Sequence, residues 1–181
     1  MNTWSTSGLL LTALAIVAPV CAQNYPVKPI RWIVPVPAGS TTDIVSRIVG
    51  QKLNEAWGQQ VIVDNRPGGA MVIGTDFIAK ANPDGYTVGT LLTPTIVNPF
   101  VLKDLPYDTL RDLTPVSLMV MVPGVMTMNP SVPATTLKEV IALAKANPGK
   151  YNYGSPGQLT SGHLSMEMLK VTAGINLTYI P

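Results

Sequence analysis

Between Val34 and Asp43 the chain reads V-P-V-P-A-G-S-T-T-D: an apolar run stops at a Pro/Gly turn and restarts with three hydroxyl side chains and an acid. At a strand-to-helix junction, residues of these types can hold an anion. The first N–H groups of a helix lack intrahelical partners, and the positive end of the helix dipole stands behind them. Several such N–H groups aimed at one point make the segment a candidate cradle for a carboxylate or phosphate. Asp43 has two readings. It can accept from an amino or hydroxyl group of a ligand, or it can complement the helix dipole in the first turn. An ordinary βα turn capped by Ser40, Thr41 or Thr42 is the plainer alternative, which this segment alone leaves open.

Other chemistries lack their residues. Gly68-Gly69 and Gly74 are followed by Thr75-Asp76 and not by the Lys-Ser/Thr of a phosphate loop, and no G-x-G-x-x-G occurs. No G-x-S-x-G elbow is present for a nucleophilic hydrolase. His163 is the only histidine and Cys21 the only cysteine, too few for a metal centre of ordinary ligand spacing. The sequence therefore implies no enzyme, no cofactor and no metal. His163 is read either as a helix-start residue bonded to a neighbouring carbonyl or as a direct ligand contact.

The elements that must position these residues follow an N-terminal leader. Leu9 to Val20 is an apolar run short for a bilayer span, and Val20-Cys21-Ala22 offers small residues at a cleavage site, so residues 1–22 are expected to be a secretory signal peptide. The expected location is the periplasm. The 12 basic and 10 acidic side chains all lie after residue 22 and alternate without runs of one sign, which argues against nucleic acid and against a polybasic membrane patch. A 46% hydrophobic content supplies a core for one domain or two small ones.

Apolar spacing predicts a strand at Ile30–Val36, a helix carrying Ile44, Ile48 and Leu53 that ends at Gly58, a strand at 61–63, a helix over 72–81 and a strand at 86–92. Strand-helix alternation of this kind is the pattern of a parallel sheet. A loop is expected at Thr93–Asn98. Thr114–Val122 and Val125–Met128 read as strand-like runs. Then come a helix capped by Thr135 or Thr136, a strand at 151–154, a loop at 155–161, a helix with Leu164, Met168 and Leu169 on its face, and a strand at 177–180, after which Pro181 ends the sequence.

In this order the motifs resemble the Bug (TctC-type) family, the extracytoplasmic solute-binding receptors of tripartite tricarboxylate transporters. The matching pieces are Tyr25–Arg31, the V-P-x-x-x-G-x-T-T-D loop, V-D-N-R-P-G-G (Val63–Gly69), Ala79–Thr87, Asn98-Pro99 and Leu105–Asp108. Ala146–Lys150 and the G-S-x-G-x-x-x-x-x-H-L run from Gly154 to Leu164 complete them. The resemblance implies an α/β, periplasmic-binding-protein-like (type II) two-domain fold with parallel-type sheets flanked by helices. The first α/β domain would cover 23–123, and 124–181 would form an incomplete second one. It implies a cleft for a small carboxylate (a dicarboxylate, tricarboxylate, acidic amino acid or aromatic acid) and membrane permease subunits as partners. One wall would be Pro37–Asp43, with side contacts from the loop that begins at Thr93. The other would be Ser155, Gly157, Thr160, Ser161 and His163. Where family loops usually carry Pro-Gly-Gly, this chain has Ala38-Gly39-Ser40, so the Ser40 hydroxyl becomes a further possible donor. A truncated, non-functional remnant and a carboxylate sensor are the alternative roles.

Overall fold

The structure, a computed structural model, describes residues 24–181; the expected signal peptide lies outside the described residues. The first part runs β1 (Ile30–Val34), α1 (Thr41–Trp57), β2 (Val61–Asn65), a one-turn 3-10 helix (Gly69–Met71), α2 (Val72–Ala79), β3 (Thr87–Gly89) and α3 (Thr93–Val101). The second runs α4 (Leu137–Ala146), β4 (Asn152–Gly154), α5 (Ser161–Ala173) and β5 (Thr178–Ile180). The architecture is α/β, and every strand pairing is parallel.

β1 is the centre of a three-stranded sheet of order β2-β1-β3, with Ile30 opposite Val61 and Arg31 opposite Thr87. Ile30, Trp32, Ile33 and Val34 are all buried, as a parallel strand covered on both faces requires. α1 packs on β1 and β2, whereas α2 packs on β1 and β3. Gly74 lets α2 seat close to the end of β1, since a Cβ there would lie 2.7 Å from both the Arg66 carbonyl oxygen and the Pro35 Cβ. Trp32 Nε1 donates to Thr90 Oγ1 at 2.8 Å, and Thr90 shares a 3.1 Å hydroxyl bond with Ser46 of α1.

β4 and β5 form a separate two-stranded sheet. Tyr153 and Leu177 pack there with Ala144 of α4 and Ile175 to make a second small core, which Met166 and Leu169 of α5 extend.

Two expectations need correction. The segment expected as a loop at Thr93–Asn98 is the start of α3, whose two prolines hide it in the sequence. Pro94 sits in the first turn, where no N–H is needed. Pro99 lies inside the helix and cannot donate to Thr95; Thr109 Oγ1 donates to that carbonyl at 3.2 Å instead. The runs Thr114–Val122 and Val125–Met128 form no strand. A strand requires a neighbour for its backbone groups, and these residues have none among the described residues, leaving Val116 91% and Val125 83% exposed.

Candidate functional site

The chain leaves β1 for one side of the sheet and then returns past it to β3. In an open parallel sheet, ligands bind beyond the carboxyl ends of the strands at such a reversal. Pro37–Asp43 follow β1, and Thr93 opens the helix that follows β3. The fold thus brings these sequence-expected residues to one edge, on neighbouring strands.

Local chemistry explains the shape of the first junction. Ser40 is the N-cap of α1, and its hydroxyl accepts the Asp43 N–H at 3.3 Å. The hydroxyl thus serves as a cap, the plainer role weighed for it. Gly39 takes φ +82, a conformation that suits glycine, and donates its N–H to Asp43 Oδ2 at 2.8 Å. Asp43 is buried (2% exposed) and is fully engaged within the protein. Arg47 Nε donates to Oδ2 at 3.1 Å, Arg47 Nη2 lies 3.0 Å from Oδ1, and Asn65 Nδ2 donates to Oδ1 at 2.9 Å. The Arg47 bond above all, with help from the Gly39 N–H and Asn65, draws the Asp43 carboxyl down to about 2. Asp43 therefore ties the loop together from inside. Thr41 and Thr42 occupy the first two helical positions, ahead of the N–H groups that Ser40 serves at Asp43 and Ile44. At those positions the N–H groups have no intrahelical acceptor. Pro37, Ala38, Gly39 and Thr41 are exposed and Ser40 and Thr42 half-buried.

The second junction, from β4 to α5, repeats the plan. Thr160 is the N-cap of α5, and its hydroxyl accepts from His163 N at 3.5 Å while donating to the Gly157 carbonyl at 2.7 Å. Ser155 Oγ also donates to Gly157 O, at 3.0 Å, and lies 3.3 Å from the Tyr179 hydroxyl. Ser161 and Gly162 hold the positions that Thr41 and Thr42 hold in α1. His163 is half-buried, with its ring edge-on to Tyr179 at 4.5 Å, and its Nδ1 has no partner among the described residues. Behind it the Tyr153 hydroxyl donates to Glu167 Oε1, and Lys170 Nζ donates to the two Glu167 oxygens at 2.8 and 3.0 Å. Burial chiefly, with Glu167 beside it, pushes the Tyr153 phenol up, while Lys170 holds Glu167 below its ordinary value. A cavity of about 590 Å³ opens beside this junction, lined by Ser155, Ser161 and Gly162 together with Met126, Met128 and Met166.

Sequence reasoning missed two residues at the first junction. Arg47 was legible as the i+4 partner of Asp43. Asn65 enters the sequence reading only as part of the V-D-N-R-P-G-G motif. No group of three or more metal-binding side chains occurs among the described residues, and no helix there is long and apolar enough to cross a membrane.

Two strand-to-helix junctions with hydroxyl caps, each in its own parallel sheet, fit an α/β fold like that of periplasmic binding proteins, to which solved structures align. Residues 45–181 match the model of the tripartite tricarboxylate transporter family receptor, TctC, and the chain belongs to that family. It is 37% identical over 176 residues to protein BugT of Bordetella pertussis, covering 96% of this chain and 54% of BugT. It is 41% identical over 165 residues to a UPF0065 protein of the same organism, covering 88% of this chain and 50% of that one. The chain spans about half the length of the curated relatives it matches. Among solved structures, R. palustris Rpa4515 with adipate aligns with a TM-score of 0.79 and 32% identity, over 87% of this chain and 53% of that one. A protein described as a periplasmic transporter aligns with a TM-score of 0.71 and 37% identity, over 87% and 53%.

Proposed function

We propose that this chain belongs to an extracytoplasmic solute-binding receptor that captures a small carboxylate between two lobes and delivers it to the permease subunits of a tripartite tricarboxylate transporter. Residues 1–22 direct export to the periplasm, 23–123 form one lobe, and 124–181 contribute to the other. The observation that carries this reading is the pair of matching junctions. Each offers two helix N-terminal N–H groups and neighbouring hydroxyls, Thr41 and Thr42 on one side and Ser161 and Gly162 on the other.

Such a pair recognises a carboxylate without an arginine clamp. Each helix end contributes about 0.3–1 kcal/mol when exposed and up to ~2 kcal/mol when partly buried. Hydrogen bonds to a charged ligand add roughly 1.5–3 kcal/mol each. A few of these, less the cost of association, reach the ~8 kcal/mol of micromolar affinity. The methionine-lined cavity beside Ser155 and Ser161 suits an aliphatic chain behind the carboxylate. Adipate, present in the structure of the Rpa4515 relative, is therefore the first ligand to test. The reading assigns no catalytic residue and no cofactor.

Thermal melts with and without adipate, succinate, citrate, glutamate and benzoate test it. A cooperative transition raised by one of these acids is expected, because a ligand that binds only the native state stabilises it. A cooperative transition indifferent to all five would sink the carboxylate assignment. The exposed apolar side chains between Val116 and Met126 favour a second reading, in which residues 24–181 do not hold a ligand by themselves. The absence of any cooperative transition is the outcome that reading expects.

A further inference from the structure

We propose that Asn65 is a positioning residue for the first junction, setting which N–H groups of the Pro37–Asp43 loop are consumed and which are left for a ligand. The inference rests on the receptor reading above for its functional meaning, but the geometry stands by itself. Asn65 is the last residue of β2, fixed opposite Val34 of β1, and the next N–H, that of Arg66, donates to the Val34 carbonyl at 2.8 Å. From that anchored backbone its side chain reaches three places. Nδ2 donates to the Val36 carbonyl at 3.1 Å and to Asp43 Oδ1 at 2.9 Å, and Oδ1 accepts from Arg47 Nη2 at 2.9 Å.

An amide has two N–H donors and one carbonyl acceptor, so both donors and the acceptor are in use. The Val36 bond fixes how the chain leaves β1, just before Pro37. The Asp43 bond turns that carboxylate so that Oδ2 faces Gly39, whose N–H it takes at 2.8 Å. With Gly39 and Asp43 satisfied in this way, the positions left facing outward are Thr41 and Thr42. Asn65 thus acts on a ligand only through Val36, Asp43 and Gly39. Aspartate at this position keeps the size and the bond to Arg47 but loses both donors and sets a second carboxylate against Asp43. Alanine removes all three bonds without adding charge.

Amide hydrogen exchange on the 181-residue chain separates this role from a general structural one. In Asn65→Asp, the Gly39 amide is expected to exchange about tenfold faster, while the amides of β1 and β2 keep their protection. Asn65→Ala should act in the same direction with a smaller increase. The double variant Asp43→Asn/Asn65→Asp restores a donor and an acceptor between the two side chains. It is expected to recover much of the Gly39 protection, the non-additivity that coupled neighbours show. Adipate affinity should follow the same order, falling about tenfold in Asn65→Asp and recovering in part in the double variant. Unchanged Gly39 exchange in both single variants overturns the inference. So does a loss of protection spread evenly through β1 and β2. If the unsubstituted chain binds no adipate, the ligand reading fails, and the Gly39 exchange still decides the role of Asn65.

Discussion

The β1–α1 and β4–α5 junctions answer one problem, holding open a helix N-terminus, with different chemistry. Each has a hydroxyl N-cap that accepts the N–H three residues on, Ser40 from Asp43 and Thr160 from His163. At the first, that third residue is a buried carboxylate gathering bonds from Gly39, Arg47 and Asn65. At the second it is a histidine packed on Tyr179, and the loop is closed by two hydroxyls, of Ser155 and Thr160, donating to the Gly157 carbonyl. Charge-assisted bonds are shorter and roughly twice as strong as neutral ones. The first loop is therefore fixed in advance, and its shape is tied to one ionisation. The second is held by hydroxyls that rotate and can exchange the Gly157 carbonyl for another acceptor. On the proposed receptor reading, a clamp with one rigid and one adaptable wall would fix the carboxylate on the first and fit the rest of the molecule on the second.

Gly39→Val should break this difference most strongly. Gly39 sits at φ +82 with no atom within 4 Å of where a Cβ would stand, so the first cost of the substitution lies in the backbone. The left-handed conformation costs an L residue about 1–2 kcal/mol, and valine, β-branched, tolerates it poorly. The loop is expected to leave this conformation and lose the Gly39–Asp43 bond. Adipate affinity should fall tenfold or more, equivalent to about 1.4 kcal/mol per factor of ten, while the melt remains cooperative. Unchanged affinity in a calorimetric titration would remove this loop from the cleft.

Acid should separate the two walls next. The Asp43 carboxyl is lowered in the folded chain from 3.8 to about 2, with the Arg47 bond the largest cause. A depressed carboxyl contributes stability that is complete above its unfolded value and is lost as pH falls through the folded one. The contribution of the first junction should therefore be intact above about pH 4 and fade toward pH 2. Comparing the unsubstituted chain with Asp43→Asn isolates it from the other lowered carboxyls. The gap in Tm between the two should narrow as pH drops from 4 to 2. A gap independent of pH would mean that Asp43 acts by shape and not by charge. Thr160→Ala, at the second wall, should cost about 0.5–2 kcal/mol for the lost cap, with no change in that cost over the same pH range.

How much of this was legible in the sequence differs between the walls for physical reasons. The ends of α1 were readable because capping is local: Ser40 opens the helix, and Gly58 closes it in the left-handed conformation. The same holds for Thr136, whose hydroxyl and the Glu139 carboxylate form a reciprocal cap. Asn65 was not readable, since its role depends on the β1–β2 register, a contact between distant residues. α3 was missed because Pro99 is a helix breaker unless some other donor serves Thr95, and that donor, Thr109, lies outside the helix. The apolar runs between Thr114 and Met128 show the opposite failure. Their composition favours strands, but a strand also needs a neighbour, which composition does not supply.

Leu159→Gly should produce the smallest change and sharpens the contrast with Gly39. Leu159 already stands at φ 62, so the second loop contains a left-handed non-glycine residue where the first contains a glycine. Relieving that conformation should recover about 1–2 kcal/mol. Against this stand the extra unfolded-state freedom of glycine, about 0.4–1 kcal/mol, and the lost packing of a half-buried leucine side chain. These contributions are of similar size and opposite sign, so the melting temperature should move little. A large rise would show that the β4–α5 loop stores strain; a large fall would show that packing around Leu159 holds it. In either case the second wall would be less adaptable than its neutral hydroxyl bonds imply, and the contrast between the two junctions would narrow.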